Sequence, residues 1–143
     1  MKKALQIAKG FLKLSQPDAG DTISNLKLQK LLYYAQGFNL AINKEPLFKE
    51  NLIAWDHGPV VREVYNEYSQ YSSNPIPIPD EDVKLTIKEK NLIGNVWKVY
   101  GQFSAWRLRE MTHNEMPWRT TLRNKIISRD KLKEFFKTLV VNE

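Results

Sequence analysis

Between Ser24 and about residue 42 the apolar residues fall on two sides of one helix. Leu28, Leu31, Leu32, Ala35, Phe38 and Ile42 form a stripe at roughly 100° per residue. Leu26, Tyr33 and Leu40 recur on roughly the opposite side, with Gly37 beside them. A helix that is apolar on two sides belongs at the centre of its domain, with its neighbours packed around it. Gly37 lowers helix propensity by about 1 kcal/mol relative to Ala, and in return lets another backbone approach closely. Ser24 supplies an N-cap for this helix.

The remaining segments read as shorter elements around that helix. Leu5, Ala8, Phe11 and Leu12 have helical spacing over residues 2–14, and the turn formers of 16–21 end the pattern. Residues 46–58 read as a non-helical crossing segment, extended around Leu52–Trp55. Gly58-Pro59 reads as the start of a third helix, because proline is tolerated in a first turn, and Val60, Val61, Val64, Tyr65 and Tyr68 mark its inner side. The three prolines of 72–82 prevent regular structure. Thr86 and Glu89 fit a capping box for a helix that packs Ile93, Val96, Trp97 and Tyr100 and stops at Gly101. Ser104 caps a short helix to Met111, Pro117 opens another, and Ser128 caps a last one with Leu132, Phe135, Phe136, Leu139 and Val140 inside. With 143 residues, one domain covering 1–143 is the default. The fold class expected is mainly α: a compact domain of about six or seven helices, with at most a short extended segment around Leu52–Trp55.

Several kinds of chemistry are poorly provided for. The chain has no cysteine, which excludes disulfides, thiol catalysis and cysteine-ligated zinc. Its two histidines, His57 and His113, lie in no HExxH pattern, so no metal site is expected. Each reads as a histidine bonded to backbone in a turn, although Asp56-His57 and His113 with Glu115 are the ligands that folding would have to gather. No P-loop, GxGxxG or GxSxG occurs, and the carboxylates sit in mixed-charge stretches. No cofactor and no enzymatic activity are expected. The N-terminal segment is amphipathic, Lys9 and Lys13 interrupt any signal core, and no run approaches the ~18 apolar residues of a membrane span. The expected location is cytoplasmic, with no membrane partner.

A net charge of +6 favours anionic partners. Arg107, Arg109, Arg119, Arg123 and Lys125 resemble phosphate-contact residues more than a base-reading set, so nucleic acid is a possible partner but not the favoured one.

Four segments, taken together, are specific. ISNLKLQKLLYYAQGFNLA (23–41), PLF (46–48), AWDHGPVVREVY (54–65) and YGQFSAWRLREMTHNEMPW (100–118) resemble the Panacea domain of SocA-like antitoxins, over roughly residues 4–140. The resemblance implies a mostly helical antitoxin encoded by bacteria or their prophages, usually beside a toxin gene. Its implied partner is a cognate protein toxin, neutralised by direct contact. In one branch of the family the domain is instead a proteolytic adaptor, which makes a protease a second implied partner. The shared residues have two readings. In one they are scaffold: Leu28, Leu31 and Leu32 as core, Gly58 and Pro59 fixing the approach to the third helix, and Pro117 closing the C-terminal helices against that corner. Trp55 is then a strut, and His113 bonds across the turn. In the other, Trp55, His57, Arg62, Tyr65, His113 and Trp118 line one groove that holds a toxin segment.

Overall fold

The computed structural model describes residues 1–140. Helix α1 spans Ala4–Leu14 and the central helix α2 spans Asn25–Asn43; strands β1 (Leu52–Trp55) and β2 (Gly58–Val60) form a hairpin before α3 (Arg62–Glu67). Helices α4 (Ile87–Tyr100), α5 (Ala105–His113) and α6 (Met116–Arg119) follow, then strand β3 (Ile126–Ile127) and helix α7 (Arg129–Lys137). The mainly helical fold expected from the sequence is the one observed.

Helix α2 touches α1, α3, α4, α5, α7 and β2, so almost its whole circumference is covered. Leu28, Leu31, Leu32, Tyr33, Tyr34 and Ala35 are fully buried in one continuous core. Because so little of α2 is left for water, Asn25, Lys27, Gln29, Lys30, Gln36 and Asn39 are buried with its apolar residues, and each needs a partner. Gln36 shows how this is met: its Oε1 accepts from Leu47 N at 2.7 Å and its Nε2 donates to Phe48 O at 2.9 Å, tying the crossing segment to the helix. The N-cap falls at Ser24, whose hydroxyl accepts from Lys27 N.

Three packing expectations are corrected. Gly37 makes room for a side chain, and not for a backbone: the Phe136 ring of α7 lies where a Cβ would stand. Ile42, placed on the inner stripe, is 51% exposed, whereas Leu40 and Ala41 in the same last turn of α2 are buried. Leu139 lies beyond the end of α7 at Lys137 and is 39% exposed, whereas Leu132 and Phe136 are buried and Phe135 and Val140 pack partly buried against the core.

The extended segment at Leu52–Trp55 is the middle strand of a small antiparallel sheet, in the order β2-β1-β3. Ile53 pairs with Val60 and Trp55 with Gly58 on one side, and Leu52 pairs with Ile127 on the other. Gly58-Pro59 therefore does not start the third helix, which begins at Arg62. Gly58 has φ +106°, outside the helical region, and serves the hairpin turn; Pro59 stands on the edge strand, where a missing N–H is tolerated. The side-chain caps are where the sequence put them. Thr86 and Glu89 form the reciprocal capping box, and Ser104 and Ser128 cap α5 and α7.

Candidate functional site

The candidate site is a corner built where the first half of α2, the β1–β2 hairpin and the α5–α6 turn meet. Side chains of α2 hold the hairpin from below. Gln29 Oε1 accepts from Val61 N at 2.9 Å, Gln29 Nε2 donates to Asn25 Oδ1 at 2.9 Å, and Asn25 Nδ2 donates to Tyr65 O at 3.0 Å. Lys30, fully buried, donates from Nζ to Pro59 O at 3.1 Å. A Cβ at position 58 would lie 2.8 Å from Lys30 Cε and 2.9 Å from Thr112 Oγ1, so glycine is required there by crowding as well as by its positive φ. Burial, helped by the nearby charge of Arg109, lowers the Lys30 ammonium to about 7.

The α5–α6 turn is fastened to α2 by one carboxylate. Tyr33 OH donates to Glu115 Oε1 at 3.0 Å and Tyr34 OH donates to Glu115 Oε2 at 2.9 Å. Burial raises Glu115 to about 7 even though both hydroxyls favour its charged form. A carboxyl near neutrality is in the range of a general acid, but here both oxygens are occupied by protein donors and the group acts as a clamp. Burial and the Glu115 charge push both tyrosines upward. Tyr34 also stacks on Tyr100, with centroids 3.9 Å apart.

The rim of the corner is aromatic and cationic. Trp118 Nε1 donates to Trp55 O at 2.7 Å, joining α6 to β1. His113 lies flat on Trp118, with centroids 4.0 Å apart and planes at 11°. The Arg123 guanidinium sits 3.6 Å from the Trp118 ring centre and donates to Trp118 O and Thr121 O. Trp55 meets Tyr65 edge to face at 5.0 Å. Burial first, then the charge of Arg109, holds the His113 imidazole below its ordinary value; Lys30 and Arg123 add to this, and the Asp56 backbone opposes it.

Of the six groove candidates, the structure joins Tyr65, Trp55, Trp118 and His113 in one run of contacts. His57 and Arg62 are exposed and stand outside it. Trp118 donates its ring N–H to Trp55 O, the Asp56 backbone hydrogen-bonds His113 as expected of a histidine held across this turn, and Pro117 is buried in α6. His113 and Glu115 do not form a ligand pair: one stacks on Trp118 and the other faces the two tyrosines. Among the described residues no group of three or more His, Cys, Asp or Glu side chains is placed to hold a metal ion. Sequence reasoning missed Lys30 and the Tyr33–Tyr34–Glu115 clamp. The available signal was a lysine inside a helix apolar on two sides, which must bury its amine against some acceptor.

All four sequence segments singled out above thus converge on one body, three of them at this corner. The family described as antitoxin SocA-like, Panacea domain, matches residues 28–119. The chain belongs to the Panacea-domain, SocA-like antitoxin family. The matched span of this Panacea domain begins on α2 and ends on α6, so it contains Lys30, the hairpin, the Glu115 clamp and Trp118. No curated protein and no solved structure matches the chain. No helix among the described residues of the Panacea domain is long and apolar enough to cross a membrane.

Proposed function

We propose that this Panacea domain is a stoichiometric antitoxin, gripping a cognate protein toxin through the corner between the β1–β2 hairpin and α5–α6, without chemistry of its own. The observation that carries the reading is the rim itself. His113, Trp118 and Arg123 are locked in place by stacking and by hydrogen bonds to Trp55 O, Trp118 O and Thr121 O, yet remain only half-buried. On the neighbouring α5, Trp106 is 62% exposed and Arg109 lies over its ring at 4.8 Å. Tryptophan and arginine are the side chains most enriched among residues that dominate binding energy, and pre-ordering them reduces the entropy lost on association. The buried network beneath supplies the rigidity, so the scaffold and groove readings of the shared residues describe the inner and outer halves of one structure.

The test is co-expression with the product of the adjacent reading frame. The expected result is rescue of growth together with co-purification of a complex, both reduced by Trp118→Ala and Trp106→Ala. Failure of rescue and of co-purification overturns the proposal. Direct neutralisation also requires the toxin's half-life to be unchanged or longer in the presence of this chain; a shortened half-life transfers the role to proteolytic delivery.

A further inference from the structure

We infer that the groove between α1 and α4, walled on its third side by residues 82–85, receives an acidic segment of a partner polypeptide. An apolar side chain of that segment enters the floor, and its carboxylates meet a rim of lysines. The groove shares no element with the corner, so its occupant is independent of the antitoxin reading. Its α1 wall also precedes the family match, which begins at residue 28.

The floor is apolar because side chains close over a glycine. A Cβ at Gly10 would lie 2.8 Å from both Leu85 Cδ1 and Ile93 Cδ1, so these two reach across to the α1 backbone. Ile93 is buried, whereas Leu14, Val83 and Leu85 are only half-buried and line an open volume of about 680 Å³. Ligand clefts commonly enclose about 300–1,000 Å³, so the space takes a side chain together with the backbone that carries it.

The rim is cationic. Lys13, Lys84 and Lys90 stand around the floor, all exposed, and none belongs to an ion pair among the described residues. Asp82 is the acidic residue of the lining, and the neighbouring Glu81 is taken by Lys9 at 2.9 Å. Three ammonium groups against one carboxylate leave the groove positive, which suits carboxylates carried on either side of an apolar group.

The third wall offers a backbone. Residues 82–85 alternate between exposed and half-buried, as an extended chain does. Their amides and carbonyls make no hydrogen bond with the rest of the described chain. A segment laid alongside can pair with them, its main-chain bonds supplying affinity while the floor selects the side chain. A free fatty acid could use the floor and the rim but not these groups. A nucleic-acid duplex would leave the floor unfilled, and a bilayer needs apolar side chains that project, whereas these are recessed.

The experiment is an NMR titration of the full chain with a blocked peptide in which one leucine stands between two pairs of glutamates. It is read at the backbone amides of Val83, Lys84 and Leu85 and at the methyls of Leu14 and Ile93, with the Trp118 Nε1–H of the corner as the internal reference. The expected result is saturable movement of the groove signals while Trp118 stays still, weakening as salt is raised. Peptides with serine for the leucine, or glutamine for the glutamates, should each bind more weakly by about fivefold or more. Lys13→Gln, Lys84→Gln and Lys90→Gln remove exposed charges without touching the core. Each should weaken the peptide by about two- to fivefold, and the triple variant by about tenfold or more. Unmoved groove signals, a serine peptide that binds as tightly as the leucine peptide, or wild-type affinity in the triple variant would each overturn the inference. So would a short DNA duplex, phosphatidylglycerol vesicles or dodecanoate shifting the same signals at lower concentration than the peptide.

Discussion

Replacing Gly37 by alanine adds one methyl group to the central helix, and sequence and structure predict opposite signs for it. On propensity alone the change stabilises α2 by up to about 1 kcal/mol. In the folded protein the new Cβ would stand 2.1 Å from Cδ2 and Cε2 of Phe136, where carbon atoms rest at about 3.5–4.0 Å. The ring would have to retreat by roughly 1.5 Å on that comparison. It has nowhere to go: Phe136 is fully buried, with Phe38 at 4.8 Å, Phe135 at 5.1 Å, Tyr33 at 5.3 Å and Tyr34 at 5.9 Å around it. Overpacking of this kind costs about 1–3 kcal/mol, and the close approach puts Gly37→Ala at the upper end or above. The net expectation is a loss of about 2 kcal/mol, read as a lower urea midpoint at unchanged m and a melting temperature lower by about 4–8 °C. Phe136→Leu removes the ring edge, so Gly37→Ala should cost less in its presence, and a double-mutant cycle should show a favourable coupling. A Gly37→Ala protein as stable as the parent, or strict additivity in the cycle, would refute the packing argument.

Gly58→Ala combines a φ of +106° with crowding against Lys30 and Thr112, so it should cost about 1–3 kcal/mol in urea unfolding; an unchanged midpoint counts against the hairpin account. For Lys30, the ordinary value is 10.5 and the folded value about 7, so between these the unfolded chain holds a proton that the folded chain has shed. Stability from this group therefore rises as pH increases from about 7 to 10.5, and Lys30→Met should remove that part of the rise measured by urea midpoints. Glu115 is the inverse case: raised from 4.5 to about 7, it binds its proton more tightly in the folded chain, and its contribution is lost as pH rises through that window. Glu115→Gln should flatten the decline, and an unaltered pH profile would show that the clamp does not titrate as described.

The helical framework was legible in the sequence because its signals are local. Ser24, Ser104 and Ser128 cap helices through their own hydroxyls, Thr86 and Glu89 satisfy each other within one turn, and the three prolines of 72–82 stop regular structure wherever they stand. The two apolar sides of 24–42 likewise required a central helix, since only burial all round satisfies both. Tertiary structure alone decided what fills each remaining space. Gly58-Pro59 suits either a helix start or an edge strand, and it is a strand because β1 pairs with it and α2 side chains hold Pro59 O and Val61 N. Strand β3, two residues long, exists only because Leu52 and Ile53 lie opposite it. The corner was half legible: the residues that compose it stood out, but their roles did not. Lys30 and Glu115 look like ordinary surface charges until the partners 29 and 81 or 82 positions away along the chain are brought beside them. Capping and periodicity act over a few residues and leave a trace in sequence, whereas desolvation, and the pairing it forces on a buried polar atom, depend on which distant segments arrive.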